Sequence, residues 1–390
     1  MLKKLFKIGV KGIELEWFKD YLCNRKQFVS INSVNSNLLN IVLGVPQGSI
    51  LGPLLFLIYI NDLPSFTDLK SSLFADDTML LDSHKDLNSL VLKVNNEFQK
   101  IINYFNFNKL SLHPQKTKFI LFTNKRNVGT PPIVFNYNDL QSVSPDPALI
   151  QPMECINNQP SPSVRFLGVL IDPQLNFKAH LSKLNNKLAT GLYYLRTAKN
   201  FLNPKALKYI YHALIHSHLI YAIHIWTCTN DSFLKPIFIK QKQAIRIITG
   251  SKYNAHSEPL FKQLNILPFP TLVQFFKVQF MQQFAGNFLP QSFDNIWQTN
   301  RIRIGDQAHI ELRNANDLYV PFARNVTISR MPLYSFPKIW DEFPSEEIKF
   351  IRNKIEFNHK LKEYFISNLK NVPDCNRLYC PACQQIAAGT

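Results

Sequence analysis

Phe74-Ala75-Asp76-Asp77 is the stretch of this 390-residue chain whose side chains could act together on one atom. Two adjacent carboxylates set among apolar residues cannot both be buried unpaired, because desolvating a lone carboxylate is expensive. A tight hairpin between two strands can instead aim both at one point, where divalent cations neutralise them, and magnesium favours such hard oxygen donors. Two ions held this way would activate a hydroxyl nucleophile and stabilise a departing pyrophosphate. The plainer alternative is an exposed Asp-Asp turn. A second feature lies upstream in Leu43-Gly44-Val45-Pro46-Gln47-Gly48-Ser49-Ile50-Leu51-Gly52-Pro53-Leu54. Three glycines and two prolines running into an apolar helix require a shaped loop, where glycine lets backbone approach a ligand closely. Gln47 is the polar side chain placed to face a base or sugar. The Gly-Lys-Ser/Thr ending of a P-loop is absent.

Other clusters carry less. Cys375, Cys380 and Cys383 have zinc-like spacing, but no Cys or His follows them, and His359 is the nearest His upstream. His212 and His216 stand four residues apart without the glutamate of a metalloprotease helix. They read as packed or solvated histidines. Six cysteines show no secreted framework, and the longest apolar run, 50–60, is too short to span a bilayer. The expectation is an intracellular protein, nuclear or cytoplasmic, with no membrane contact. Lys and Arg total 44 against 27 Asp and Glu, a net charge of +17, which points to a polyanion partner. Between Pro173 and Lys252 there are 12 Lys or Arg and one acid, Asp231, interleaved with Tyr193, Tyr194, Tyr209, Tyr211, Tyr221 and Trp226. That pattern suits a phosphate backbone and stacked bases, with most of the aromatics serving as core.

The elements that must hold these residues are mixed, an α+β chain. Residues 12–22 read as a helix with Ile13, Trp17, Phe18 and Tyr21 along one side. Segments 27–31 and 41–44 read as strands about a polar turn, 53–60 as a helix opened by Pro53, and 71–81 as strand on both sides of the carboxylates. Leu87, Leu90, Val91, Val94, Phe98, Ile101 and Ile102 repeat at helical spacing, and 118–122 reads as a strand. Seven prolines make 129–163 a loop or linker. Strand character returns at 164–171. Helices follow, lined by Leu181, Leu184, Leu188, Leu192 and Leu195, then by Leu207, Ile210, Leu214 and Ile215 after an Asn203 cap. Further helices are expected over 241–249, 275–284 and 345–369, the last capped by Ser345.

In this order the motifs resemble the reverse transcriptases of non-LTR retrotransposons, LINE- and jockey-like. Gly44 to Pro53, then LLFLIYINDLP, then Phe74 to Asp77, is similar to their motifs B and C. Trp17 to Leu22 with Arg25 and Gln27 resembles the segment before motif B. Asn108 to Leu112 with Lys116-Thr117-Lys118 resembles motif D, and Arg165 to Asp172 the strand near the primer grip. Residues 241–250, 256–268 and Pro337-Lys338-Ile339-Trp340 resemble the C-terminal region. The resemblance implies a right-hand polymerase: a partial palm of antiparallel sheet and helices in 1–128, a primer-grip-like strand in 164–177, a basic helical thumb in 178–270, a C-terminal helical region in 271–370 and a cysteine-containing tail in 371–390. It implies Asp76 and Asp77 as ligands of two Mg2+ ions. Lys116 would stand near the triphosphate; Gly44, Pro46, Gln47, Gly48 and Phe74 would stand about the nucleotide and template; Phe166, Leu167 and Gly168 would stand at the primer end. RNA template, DNA primer and deoxynucleotide triphosphates would be the partners.

The family's motif A, with the first metal-binding aspartate, is expected just ahead of Leu2, where Met1 stands. Glu14, Glu16 and Asp20 fall on the expected helix and do not replace it. The fingers and the family's endonuclease domain are also not found. The sequence thus reads as a truncated or decayed copy, inactive as it stands, with a non-catalytic nucleic-acid-binding remnant as the alternative. Tyr104 and Phe177 stand where the family has tryptophan, His113 where it has asparagine, and Phe74 where tyrosine is commoner.

Overall fold

The computed structural model describes residues 1–41, 43–46, 48–113, 116–123, 133–135, 148–150, 163–299, 317–324 and 326–369. These fall into two compact units. The first holds the residues up to 119 with the strands at 133–135 and 148–150. The second holds 120–123 and everything from 163 onward. Both mix helices with small antiparallel sheets, so the chain is α+β.

In the first unit, α1 (Leu2–Lys7) and α2 (Ile13–Leu22) precede four short strands in two nested antiparallel pairs. Strands β1 (Arg25–Gln27) and β4 (Leu39–Ile41) pair around the hairpin of β2 (Ser30–Ile31) and β3 (Val34–Asn35). Asn32 and Ser33 turn that hairpin at φ +49° and +65°. Then come α3 (Leu51–Ile60), the hairpin of β5 (Lys70–Phe74) and β6 (Asp77–Leu81), and α4 (Leu87–Phe107). Asp86 caps α4 by accepting the Ser89 N–H at 2.8 Å. Ile60, Leu63, Ile101, Tyr104 and Phe105 form one small core, and Phe98, Ile102 and Ile133 another. A polar tether crosses the first. Lys4 Nζ donates to Asp62 Oδ1 at 2.7 Å and to the Tyr59 carbonyl at 2.5 Å, while the Tyr104 hydroxyl donates to the same Asp62 oxygen at 2.5 Å. Burial works against the Asp62 charge, but the Lys4 and Tyr104 hydrogen bonds hold its carboxyl below the usual range. The stretch read as a linker contains a paired hairpin, β7 (Ile133–Phe135) with β8 (Ala148–Ile150), whose Ile133 is buried in the second core.

The second unit opens on the hairpin of β9 (Val164–Phe166) and β10 (Val169–Ile171). Asp172 then bends the chain. It is buried, and its carboxylate accepts the backbone N–H of Gln174, Asn176 and Phe177 at 3.2, 3.0 and 2.6 Å. The helices are α5 (Lys178–Ala198), α6 (Pro204–Tyr211), α7 (Ser217–Ile220), α8 (Ile223–Trp226), α9 (Asp231–Thr249), α10 (Ser257–Leu264), α11 (Phe269–Ala285), α12 (Val326–Ser329), α13 (Pro332–Asp341), α14 (Glu346–Lys349) and α15 (Lys354–Ser367). A π-helical turn, His212–His216, links α6 to α7. One core takes in the five leucines of α5 with Leu207, Tyr211, Trp226, Ile245 and Phe269, and Trp226 stacks on Phe269 at 5.7 Å. Gln241 is buried but fully used: it donates to the Tyr211 hydroxyl and the Leu267 carbonyl, both at 3.0 Å, and accepts the Phe269 N–H at 2.6 Å.

Several expectations change. The described strands form five two-stranded sheets rather than one palm sheet, and the 118–122 segment is not among them. Residues 27–31 divide between β1 and β2, and 164–171 is a hairpin because Leu167 and Gly168 take φ +43° and +84°. The apolar side of α2 is only partly covered: Phe18 and Tyr21 are half-buried, but Ile13 is 87% exposed, and Trp17 is exposed with its ring on its own helix neighbours Phe18 and Tyr21 at 5.1 and 5.5 Å. The expected 345–369 helix breaks after Lys349. Asn353 then caps α15, accepting the N–H of Ile355 at 2.9 Å and of Glu356 at 3.2 Å. No helix among the described residues is long and apolar enough to cross a membrane.

Candidate functional site

The carboxylate hairpin is built by strand alternation. The register pairs Phe74 with Asp77 and Leu73 with Thr78, leaving Ala75-Asp76 as the two-residue loop. Ala75 sits at φ +52°, a left-handed conformation that costs an L-residue about 1 kcal/mol. Leu73 and Leu80 point inward onto the core of Ile60, Leu63, Ile101, Tyr104 and Phe105. Phe74, Asp77 and Met79 share the outer face. Asp76 and Asp77 are exposed, and among the described residues neither side chain has a hydrogen bond or ion pair. Their oxygens are open to a cation from solution. No group of three His, Cys, Asp or Glu that could hold a metal occurs among the described residues, so the pair stands without a third carboxylate there.

The glycine loop enters α3 under tight local control. Gly44 and Gly48 have φ +81° and +80°, a region that disfavours other residues. Arg25 Nη2 donates to the Gly44 carbonyl at 2.5 Å, tying the loop to β1. Ser49 Oγ donates to the Pro46 carbonyl at 2.8 Å and accepts the Gly52 N–H at 3.0 Å. A Cβ on Gly52 would lie 2.9 Å from that Oγ, so glycine is required where the loop folds back on the helix. Pro46 is half-buried and Gly44 and Gly48 are exposed. Gln47 lies outside the described residues. Lys116 is exposed in a short turn, its N–H donating to the His113 carbonyl at 3.1 Å, and it makes no ion pair among the described residues.

In the second unit, the Leu167-Gly168 turn is clamped from below. The Tyr221 hydroxyl donates to the Leu167 carbonyl, and the Tyr221 ring lies 3.3 Å from where a Gly168 Cβ would be. Tyr221 is fixed in turn by buried Trp226, whose Nε1 donates to the Tyr221 carbonyl at 2.8 Å. Phe166 stands on β9, half-buried and paired with Val169. Asp76, Asp77, Phe74 and the glycine loop thus belong to the first unit, and Phe166, Leu167 and Gly168 to the second. The sequence placed Tyr221 and Trp226 only among the aromatics of the basic stretch and Arg25 only in the segment before motif B, and it gave none of them these contacts. The glycine at 168 was the only local signal of the turn, and its partner is more than fifty residues away. Cys375, Cys380 and Cys383 lie outside the described residues. His359 approaches Glu363 at 3.5 Å, and the His212 and His216 rings meet edge to face at 4.9 Å.

Residues 1–171 match the family described as "Reverse transcriptase (RNA-dependent DNA polymerase)". The chain is similar to the probable RNA-directed DNA polymerase from transposon BS of Drosophila melanogaster, 28% identical over 276 residues, which cover 68% of this chain and 28% of that protein. It is 27% identical over 256 residues to the probable RNA-directed DNA polymerase from transposon X-element of the same organism, covering 64% and 26%. It is 24% identical over 264 residues to the RNA-directed DNA polymerase from mobile element jockey, again covering 64% and 26%. The matched stretches thus span little more than a quarter of each of these relatives.

Proposed function

Residues 1–171 belong to the reverse transcriptase family and the chain is LINE/jockey-like, and on that premise we propose that it carries palm and thumb portions of an RNA-directed DNA polymerase. Residues 1–128 are the partial palm, 164–177 the primer-grip strand, 178–270 the thumb, and 271–370 the C-terminal helical region. One observation supports this reading most: two carboxylates presented at a hairpin tip with no protein partner among the described residues. The half-buried Asp62 and the buried Asp172, by contrast, are engaged. Asp76 and Asp77 have the donor chemistry of a magnesium site, since the ion binds through one or two carboxylates together with substrate phosphates. When bound, two such ions neutralise the phosphates of the incoming deoxynucleotide and its leaving group. Lys116 adds positive charge near the triphosphate or a proton for pyrophosphate. The backbone of Gly44, Pro46 and Gly48, with Gln47 and Phe74, faces the nucleotide and template. Phe166, Leu167 and Gly168 steer the primer end, and the basic helices after Lys178 hold the RNA template and DNA primer through their phosphates. Nuclear or cytoplasmic placement belongs to the same proposal.

A second reading is non-catalytic nucleic-acid binding. It draws on the lack of a third carboxylate beside Asp76 and Asp77 among the described residues. Two-metal chemistry uses such a group to bridge the ions. The test is primer extension on an RNA template with magnesium. It compares this chain, the chain with a carboxylate-bearing family motif A joined ahead of Met1, and Asp76→Ala in each. Extension that Asp76→Ala abolishes supports the polymerase reading. Salt-dependent hybrid binding without extension in either form supports the binding reading and refutes the first.

A further inference from the structure

We propose that the groove between α5 and α9 is a subsite for the sugar–phosphate backbone of a single RNA strand, recognised through its ribose 2′-hydroxyl. It is a concavity of about 280 Å³ lined by Asn185, Ser232, Lys235, Pro236, Lys240 and Gln243. Its lining includes one buried acceptor, Asn185 Oδ1, that has no hydrogen-bond partner among the described residues. Pro236 stands inside α9, and because proline has no N–H, the Ser232 carbonyl is denied its usual α-helical donor. The rim carries opposite chemistry. Lys235 and Lys240 make no ion pair among the described residues, and the single acid nearby in sequence, Asp231, approaches Arg330 at 3.7 Å.

A ligand that fits must bring a hydrogen-bond donor to the floor and negative charge to the rim. A free phosphate or a DNA backbone supplies only the charge. An RNA backbone supplies both, with a 2′-hydroxyl beside every phosphodiester. The last torsion of an asparagine is soft, so the Asn185 amide can swing its oxygen toward that hydroxyl without moving the helix. Exocyclic amino groups of bases are the other source of donors, and they are shared by RNA and DNA.

The inference rests on the nucleic-acid reading above, and its test separates the two. Labelled single strands of one sequence, as RNA, DNA and 2′-O-methyl RNA, are titrated with the full chain at several salt concentrations. RNA should bind about two- to tenfold more tightly than the other two, the range expected for one hydrogen bond. Asn185→Ala should erase that difference. Lys235→Gln with Lys240→Gln should weaken all three alike and reduce the salt slope by roughly 0.7 per lysine. Equal affinity for RNA and 2′-O-methyl RNA overturns the proposal, and because that comparison changes only the ligand, it holds even if Asn185→Ala misfolds. A preference that survives in folded Asn185→Ala overturns it too. Absence of salt-dependent binding to any strand refutes the nucleic-acid reading itself.

Discussion

Replacing Gly168 by alanine tests whether the turn at the head of the second unit is held by Tyr221. Two terms oppose the new methyl. The backbone sits at φ +84°, where a Cβ costs about 1 kcal/mol. The methyl would also lie 3.3 Å from Tyr221 Cε1 and from its hydroxyl, so the ring must retreat and loosen its bond to the Leu167 carbonyl. A neutral hydrogen bond contributes about 1 kcal/mol, so the full effect is about 1–2 kcal/mol. For a unit of this size that lowers Tm by roughly 2–8 °C. Unfolding can be followed by tryptophan fluorescence, since Trp226 and Trp297 are buried in the same unit. The decisive comparison is a double-mutant cycle with Tyr221→Ala. The φ penalty remains when the ring is gone, but the contact penalty does not. Gly168→Ala should therefore cost about 0.5–1 kcal/mol less in the Tyr221→Ala background. A coupling indistinguishable from zero would show that Tyr221 does not clamp the turn. A neutral Gly168→Ala would show that the turn itself is not held in the left-handed region.

Three further outcomes are expected. Asp172→Ala should destabilise by about 3 kcal/mol or more in urea titrations, because three backbone N–H groups lose a charged acceptor at a buried position, whereas Asp172→Asn keeps one oxygen and should cost less. Burial holds His180 and His216 near a pKa of about 4 against an ordinary 6.5, so the fold keeps them neutral while the unfolded chain takes up protons. Stability should hold above about pH 6.5, fall as pH drops toward 4 and level off below; a flat Tm profile, or one unchanged in His180→Gln, contradicts this. Asp76→Asn removes a charge with no protein partner, so it should leave metal-free stability unchanged or slightly raised. It should also abolish a magnesium-dependent gain of roughly 1.4 kcal/mol at tenfold excess over Kd; a gain that persists rules Asp76 out as a ligand.

What the sequence disclosed followed from repetition and local chemistry. The leucines of α5 are buried as their period required, as are Phe98, Ile101 and Ile102 of the α4 stripe, and Asn203 caps the helix that follows it. The strands on either side of Asp76 and Asp77 were legible because alternation survives only one tight turn there. What was hidden depends on partners far away. The first half of α9 was missed because Pro236 reads as a breaker, yet packing of Leu234 and Ile237 carries the helix through it. The stripe on α2 has helical period, yet Ile13 and Trp17 on it are exposed, since a pattern specifies a face and not what covers it. The clamp of Trp226 on Tyr221, and of Tyr221 on Leu167, has no sequence pattern at all.

The two units distribute order unequally, and this bears on how the carboxylates are held. The second unit has a large core with a smaller cluster of Met281, Trp297 and Phe336 beside it, whereas the hairpin of Asp76 and Asp77 is anchored through Leu73 and Leu80 to a cluster of five buried residues. That cluster is fixed at its edge by Tyr104, whose ring packs with Phe105 and Phe66 while its hydroxyl meets Asp62. The carboxylates themselves contribute no bonds among the described residues, and Ala75 between them and β5 stores strain. The direction in which Asp76 and Asp77 point is therefore set by apolar packing beneath them. A change such as Leu73→Ala would misaim both oxygens without altering either, whereas removing a carboxylate would leave the packing intact. Separate control of position and charge is what a ligand-binding hairpin requires, because the charged tip must stay unpaired until its partner arrives.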